Sequence, residues 1–219
     1  MQLVLLILSV IAVLILLAVL IVSWFLIQRK KREGKIIRSL NMSLFLITLP
    51  QEKLKEGEPV KNAKEIISIM EQFYASVSQL KEKSVSEFYY GQPVLALEIA
   101  LPGKGEEIRF YLACPRQLSE VLEKTVHGFF PAAQFEPIED YNIFNPQGAI
   151  AGSYLLISKS YFLPIKTYQN LEIDPLNNMA NALSKLEAEG EGAAFQILIK
   201  PAPRGWARTG LRIAKLMQE

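Results

Sequence analysis

The sequence predicts an α+β protein carried on one N-terminal transmembrane helix. Three observations predict it. The first 28 or so residues contain no charged side chain, and every Lys, Arg, Asp and Glu of the 219-residue chain comes later. Two stretches after them alternate apolar and polar residues with a period of two, as half-buried strands do. Between and after these stretches, apolar residues recur at three- and four-residue steps, as on the buried stripe of a helix.

Residues 3–27 read LVLLILSVIAVLILLAVLIVSWFLI. About 25 residues at ~1.5 Å each span roughly 38 Å, enough to cross a ~30 Å hydrocarbon core with some tilt. Their summed insertion free energy is on the order of −5 to −10 kcal/mol. A cleaved signal peptide would need a basic leader, a shorter apolar region and a small-x-small cleavage site, none of which is present. No Gly-x-x-x-Gly pair marks a helix-dimer seam in this run. No ionisable group within it suggests an ion pathway. Trp24 and Phe25 fall where an interfacial aromatic belt lies.

Arg29, Lys30, Lys31 and Arg32 follow, then Lys35 and Arg38. Positive flanks stay in the cytoplasm, so the short N-terminus is expected outside and the body inside, on the inner (cytoplasmic) membrane. Trp24, Arg29, Lys30, Lys31 and Arg32 are the expected membrane-interface residues, and the basic cluster can also bind anionic lipid.

The chain reads as four segments: a transmembrane anchor over 1–28, a basic juxtamembrane linker over 29–42, a ferredoxin-like unit over 43–140, and a second α+β unit over 141–219. In the third segment, residues 43–49 are an apolar run ended by Pro50 and read as a strand. Asn62 and Glu65 are spaced as a capping box. Ile66, Met70, Phe73, Val77 and Leu80 form the helix stripe after it. Leu95, Leu97, Ile99 and Leu101 alternate, Pro102-Gly103-Lys104-Gly105 turns, and Ile108, Phe110 and Leu112 alternate again, predicting a hairpin. Leu118, Val121, Leu122, Val126 and Phe129 line a second helix, and residues 133–138 a further short strand. The order β-α-β-β-α-β is that of a ferredoxin-like unit, with one antiparallel sheet and both helices on one face.

The fourth segment reads as a partial second β-α-β(-α) unit. Residues 153–163 are strand-rich. Asp174-Pro175 is a helix start, a capping residue followed by proline at the first helical position. Leu176, Met179, Ala180, Leu183 and Leu186 line the helix. Phe195, Ile197 and Ile199 form a strand. The last helix carries Arg204, Arg208, Arg212 and Lys215 along one side. It stops at Glu219 without a terminating turn, as in a truncated chain.

The formal charge of +2 does not argue for nucleic-acid binding. The basic stripe would contact nucleic acid, acidic lipid or an acidic partner, but it lacks the interleaved aromatics on which single-stranded bases stack, so nucleic acid stays unsupported as a partner. The single cysteine, Cys114, permits no intrachain disulfide, fits a reducing compartment, and reads as a buried strand residue. The lone His127 cannot build a zinc site or a triad by itself. Pro102-Gly103-Lys104-Gly105 lies between two strands, whereas a phosphate loop joins a strand to a helix. Acidic pairs Glu106-Glu107 and Glu139-Asp140 read as solvated turns. The residues therefore predict no enzyme, no catalytic or metal-ligating residue and no cofactor.

From Tyr161 the chain reads YFLPIKTYQNLEIDPLNNMANALSKL and then FQILIKPAPRGWARTG. Pro164-Ile165-Lys166-Thr167, Glu172-Ile173-Asp174-Pro175-Leu176, Leu183-Ser184-Lys185-Leu186 and Gln196-Ile197-Leu198-Ile199-Lys200-Pro201, with Trp206 and Gly210, carry a resemblance. So do Ile108-Arg109-Phe110-Tyr111 and Ile138-Glu139-Asp140-Tyr141. The chain resembles the membrane-anchored N-terminal region of conjugation or type IV secretion-type ATPases of the FtsK/HerA superfamily, as found in candidate-phylum bacteria. The resemblance implies a membrane-tethered ring motor that moves DNA or protein. The motor's phosphate loop and Mg²⁺-binding acid are not in this sequence, so no catalytic residue carries over. The expected function is a non-catalytic anchoring and assembly module. Membrane lipid, further copies of the chain, and a motor ATPase domain or subunit are its expected partners. The alternative is a stand-alone single-pass scaffold that binds a cytoplasmic protein or anionic lipid.

Overall fold

The uncharged Leu-, Ile- and Val-rich run forms a helix that does not stop where the charges begin. In the computed structural model, α1 covers Gln2–Leu40, so the basic segment expected as a linker continues the same helix almost to its end. The structure describes residues 2–50, 63–82, 84–103, 107–160, 162–163, 165, 167, 175–186, 191–202 and 205–217. The capping pair Asn62 and Glu65, the Gly-Lys turn centre and Asp174 involve residues or side chains outside that set. α1 is long and apolar enough to cross a membrane, with a mean hydropathy of 3.6 in its most apolar window and none of that window buried by protein.

The chain divides into two units, Met1–Asn41 with Glu82–Gln92, and Met42–Lys81 with Pro93–Glu219. In the first unit a short helix the sequence reading did not foresee, α3 (Ser84–Tyr90), packs on α1.

The second unit is built on one five-stranded antiparallel sheet. Its strands are β1 (Met42–Thr48), β2 (Leu95–Leu101), β3 (Arg109–Pro115), β4 (Gln134–Ile138) and β5 (Ala193–Ile199). They lie in the order β4-β1-β3-β2-β5. β2 and β3 pair as the expected hairpin, with Leu97 opposite Leu112 and Ile99 opposite Phe110. β3 lies between β1 and β2, so the connection from β1 to β2 crosses over it, and the β3-to-β4 connection likewise crosses β1.

Period-two alternation sorts the side chains between the two faces. Phe45, Leu112, Cys114 and Leu95 point to one face and share a core with Phe73 and Val77 of α2 (Ala63–Val77) and with Leu122 and Val126 of α4 (Ser119–Phe129). Both helices therefore cover the same side of the sheet. Phe45 stacks on Phe135 at 4.3 Å, and Phe129 meets Phe73 edge-on. Val121, expected on the buried stripe of α4, is 46% exposed, because the stripe is narrower than its apolar sequence and centres on Leu122 and Val126. Further along that same face, Leu183 of α5 (Pro175–Leu183) packs on Ile99 and Leu101.

Two expectations for the fourth segment change. The strand of a separate second unit, β5, instead joins the first sheet and pairs with β2 along its whole length, Leu95 opposite Ile199 and Leu101 opposite Ala193. An isolated strand would leave its backbone groups unpaired, and β2 offers it an edge to complete. Residues 153–160, expected as strand, pair with no described strand, and their side chains are exposed.

Candidate functional site

Among the described residues, two places gather polar or charged groups around hydrogen bonds that join separate elements. The first is a collar in unit one, on the basic turns of α1. Gly34 of α1 is buried, and a Cβ there would lie 2.7 Å from the carbonyl oxygen of Tyr89. Only glycine lets the α3 backbone approach this closely. Arg38 clamps the segment. Its Nη1 donates to the carbonyl of Gly91 at 2.6 Å and its Nη2 to Glu82 Oε1 at 2.6 Å. The Gln92 side chain accepts from the Glu82 backbone N–H at 3.0 Å. Lys31 Nζ sits 3.4 Å from the centroid of the Phe88 ring, a cation–π contact.

These contacts divide the basic cluster. Arg29 pairs with Glu33 along the helix at 2.8 Å. Lys31 and Arg38 are engaged by α3. Lys30, Arg32 and Lys35 are exposed, and Trp24 is 63% exposed on the apolar part of α1. Of the expected interface residues, Trp24, Lys30 and Arg32 thus face outward, whereas Lys31 also holds the collar together.

The second place is the sheet face opposite α2 and α4. Tyr141 stacks on the buried Tyr111 with ring centroids 4.5 Å apart. Its hydroxyl donates to Glu98 Oε2 at 2.6 Å, and Gln196 Nε2 donates to Glu98 Oε1 at 2.6 Å. Burial, reinforced by the bond to the Glu98 carboxylate, raises the Tyr141 hydroxyl well above the usual tyrosine range. Glu98 thereby ties β2 to β5 and to the segment crossing this face. The same segment reaches Gly192, where a Cβ would meet the Pro102 carbonyl oxygen at 2.6 Å and Ile143 at 3.1 Å. A carboxylate with both oxygens occupied by donors from its own chain acts as a latch, and no substrate group is needed to complete it.

The sign of the pH dependence follows. A hydroxyl whose folded pKa is raised contributes stability that is whole below the unfolded value near 10 and is lost as the pH climbs towards the folded one. Tyr141→Phe is expected to cost about 1–2 kcal/mol at neutral pH. It should also flatten the fall in stability above pH ~10. Denaturant melts of both chains at neutral and alkaline pH, followed by near-ultraviolet circular dichroism, measure both effects.

Elsewhere the second unit offers shallow surfaces. An apolar groove of about 340 Å³ is lined by Tyr74, Val77, Leu95, Ile197, Ile199 and Pro201. A more polar cleft of about 600 Å³ lies beside Ser43, Arg116, Ser119, Glu139 and Asp140. Among the described residues, no three His, Cys, Asp or Glu side chains converge as metal ligands would. Cys114 is fully buried, its thiol pushed up by burial, with Sγ 3.8 Å from Ser119 Oγ. His127 is half-buried in the last turn of α4.

α6 (Trp206–Leu216) carries Arg208, Arg212 and Lys215 exposed at helical spacing, while Arg204 lies outside the described residues. The hydrogen bonds of the Glu98 latch involve none of Arg208, Arg212 and Lys215. The functional elements that the sequence reading missed are α3 and the Glu98–Tyr141–Gln196 triplet. The only signal for α3 was the aromatic cluster Phe88-Tyr89-Tyr90 next to Gly91, and the triplet joins residues far apart in the chain.

Comparison with known families assigns residues 50–219. The chain belongs to the DUF8128 family, a domain of unknown function. The matched region includes α3, four of the five strands, the Glu98 latch and the whole of α6, whereas α1 and β1 precede it. The DUF8128 sheet is therefore completed at β1 by a strand that comes before the matched residues. No curated protein and no solved structure matches the chain.

Proposed function

We propose that the chain is a non-catalytic membrane-anchoring and assembly module of a type IV secretion or conjugative DNA-transfer ATPase. In this reading α1 sits in the inner membrane, the short N-terminus lies outside and the second unit lies in the cytoplasm. The observation that carries the reading is α1 itself. It is a single helix whose uncharged part is bare of protein contacts and whose next turns are basic.

Assembly is supported by apolar surface on the second unit. Tyr154, Leu155, Leu156 and Ile157 are consecutive and 65–96% exposed. The edge strand β5 presents Ile197 and Leu198, more than half exposed. Exposed apolar runs and open sheet edges are surfaces on which further chains pair. The order β4-β1-β3-β2, with every neighbour antiparallel and α2 and α4 on one face, supports reading this portion as ferredoxin-like, with β5 added at its edge.

The test uses the full chain in its native membrane. Resistance to alkaline carbonate extraction, protection of the second unit from protease added to intact cells, and a ring-sized oligomer after mild detergent extraction that co-purifies with an ATPase are the expected results. Digestion of the second unit from outside would overturn the orientation, and a detergent-solubilised monomer with no ATPase bound would overturn the assembly role. The exposed Arg208, Arg212 and Lys215 of α6 favour a second reading, a stand-alone scaffold for an acidic protein or anionic lipid. A monomer that loses binding to anionic vesicles on triple replacement of these residues by Gln would select it.

A further inference from the structure

Helix α3 packs on α1, and its placement has a consequence for the membrane. Phe88 lies on Lys31, four residues beyond the last residue of the apolar run, Ile27. At ~1.5 Å per residue that is about 6 Å along the helix axis. The headgroup layer of one leaflet is itself ~5–7 Å thick. After Phe88 the segment meets α1 farther from the apolar run, Tyr89 at Gly34 and Gly91 at Arg38, and before α3 Glu82 also meets Arg38. Of these contacts, the one at Phe88 lies nearest the apolar run. Val85, three residues earlier, shares its helix face. Val85 is 71% exposed and Phe88 46% exposed, and the exposed Lys30, Arg32 and Lys35 of α1 flank the contact.

We propose that α3 is an interfacial element, with Val85 and Phe88 inserted among the headgroups and upper acyl chains of an anionic bilayer beside α1. α3 itself carries no basic residue and one acidic one, Glu87, so the basic side chains that stand beside its apolar ones in such an interface come from α1. The Gly34 contact and the Arg38 clamp hold the helix at that depth, so α1 cannot slide or tilt without moving α3. The proposal rests on the reading of α1 as a membrane span.

Single-tryptophan chains test both ideas separately. In a full chain carrying Trp24→Phe and Trp206→Phe, Phe88→Trp or Val85→Trp places the only indole on α3. A chain carrying Trp206→Phe alone keeps Trp24 as a reporter of the span. Each is reconstituted into vesicles of phosphatidylcholine and phosphatidylglycerol, with or without lipids brominated near the glycerol end of the acyl chains. Quenching of the α3 indole by about half or more is expected. Quenching at Trp24 with none at either α3 position overturns the proposal and leaves the span intact. No quenching at Trp24 overturns the span and the proposal together. The Val85 variant keeps the test decisive if Phe88→Trp disturbs the Lys31 contact.

Discussion

Replacing Ile11 and Ile15 together by Arg is expected to release most of the chain from the carbonate-resistant membrane fraction, whereas either replacement alone is not. The insertion free energy of the apolar run is on the order of −5 to −10 kcal/mol. Each Arg near the middle of a span changes this by about 3–4 kcal/mol, the loss of a favourable apolar contribution plus the cost of the charge. One Arg therefore leaves insertion favourable, helped by snorkelling and local thinning. Two bring it close to zero, and as like charges one turn apart they also repel. Both sites are about half exposed or more, with no protein packed over them, so neither replacement disturbs a protein core. A doubly substituted chain that stays wholly in the carbonate pellet would show that α1 is held there by something other than lipid.

The second large effect is expected in the sheet. Leu112 is fully buried on the central strand β3, flanked in register by Phe45 on β1 and Leu97 on β2, and shares its core with Leu122 and Val126 of α4. Leu112→Ala removes a side chain from the point where three strands and the helix layer meet. Leu→Ala at such positions costs about 2–5 kcal/mol, the larger values where the surroundings cannot collapse into the cavity. Strands hydrogen-bonded on both sides collapse poorly, so the upper half of that range is expected. Val121→Ala on the exposed side of α4 is the control, with a change within about 0.5 kcal/mol. Denaturant titration of the detergent-solubilised full chain, read by near-ultraviolet circular dichroism, compares the two. Equal midpoints for both variants would contradict the core described above.

Much of this architecture was legible in local pattern. The apolar run, the β2–β3 hairpin, the α2 and α4 stripes and the short β4 are each announced by a period that one element needs in order to bury one face. Cys114 was legible as a buried strand residue from the burial habits of a free cysteine, and it is fully buried on β3. The failures have a common cause. Residues 153–160 contain enough apolar residues to read as strand, yet a strand exists only where its backbone pairs with an edge, and the edge of β2 is taken by β5 while this segment pairs with no described strand. α3 shows no apolar stripe because what seats it is a glycine and two cationic side chains of α1, Gly34, Lys31 and Arg38. Glu98 looked like any polar position of an alternating strand until Tyr141 and Gln196 converged on it.

The sequence alone determined what depends on neighbours in the chain: the uncharged front, the basic turns after it, the α+β class and the faces that must be buried. Those properties rest on transfer free energy and side-chain periodicity, which act over a few residues. Only the tertiary structure decided which edge β5 completes, that the basic turns extend α1 as one helix, and that Lys31, Gly34 and Arg38 seat α3 on it. Such pairings join residues dozens of positions apart, where steric fit and hydrogen-bond geometry select the partner and no local pattern encodes it.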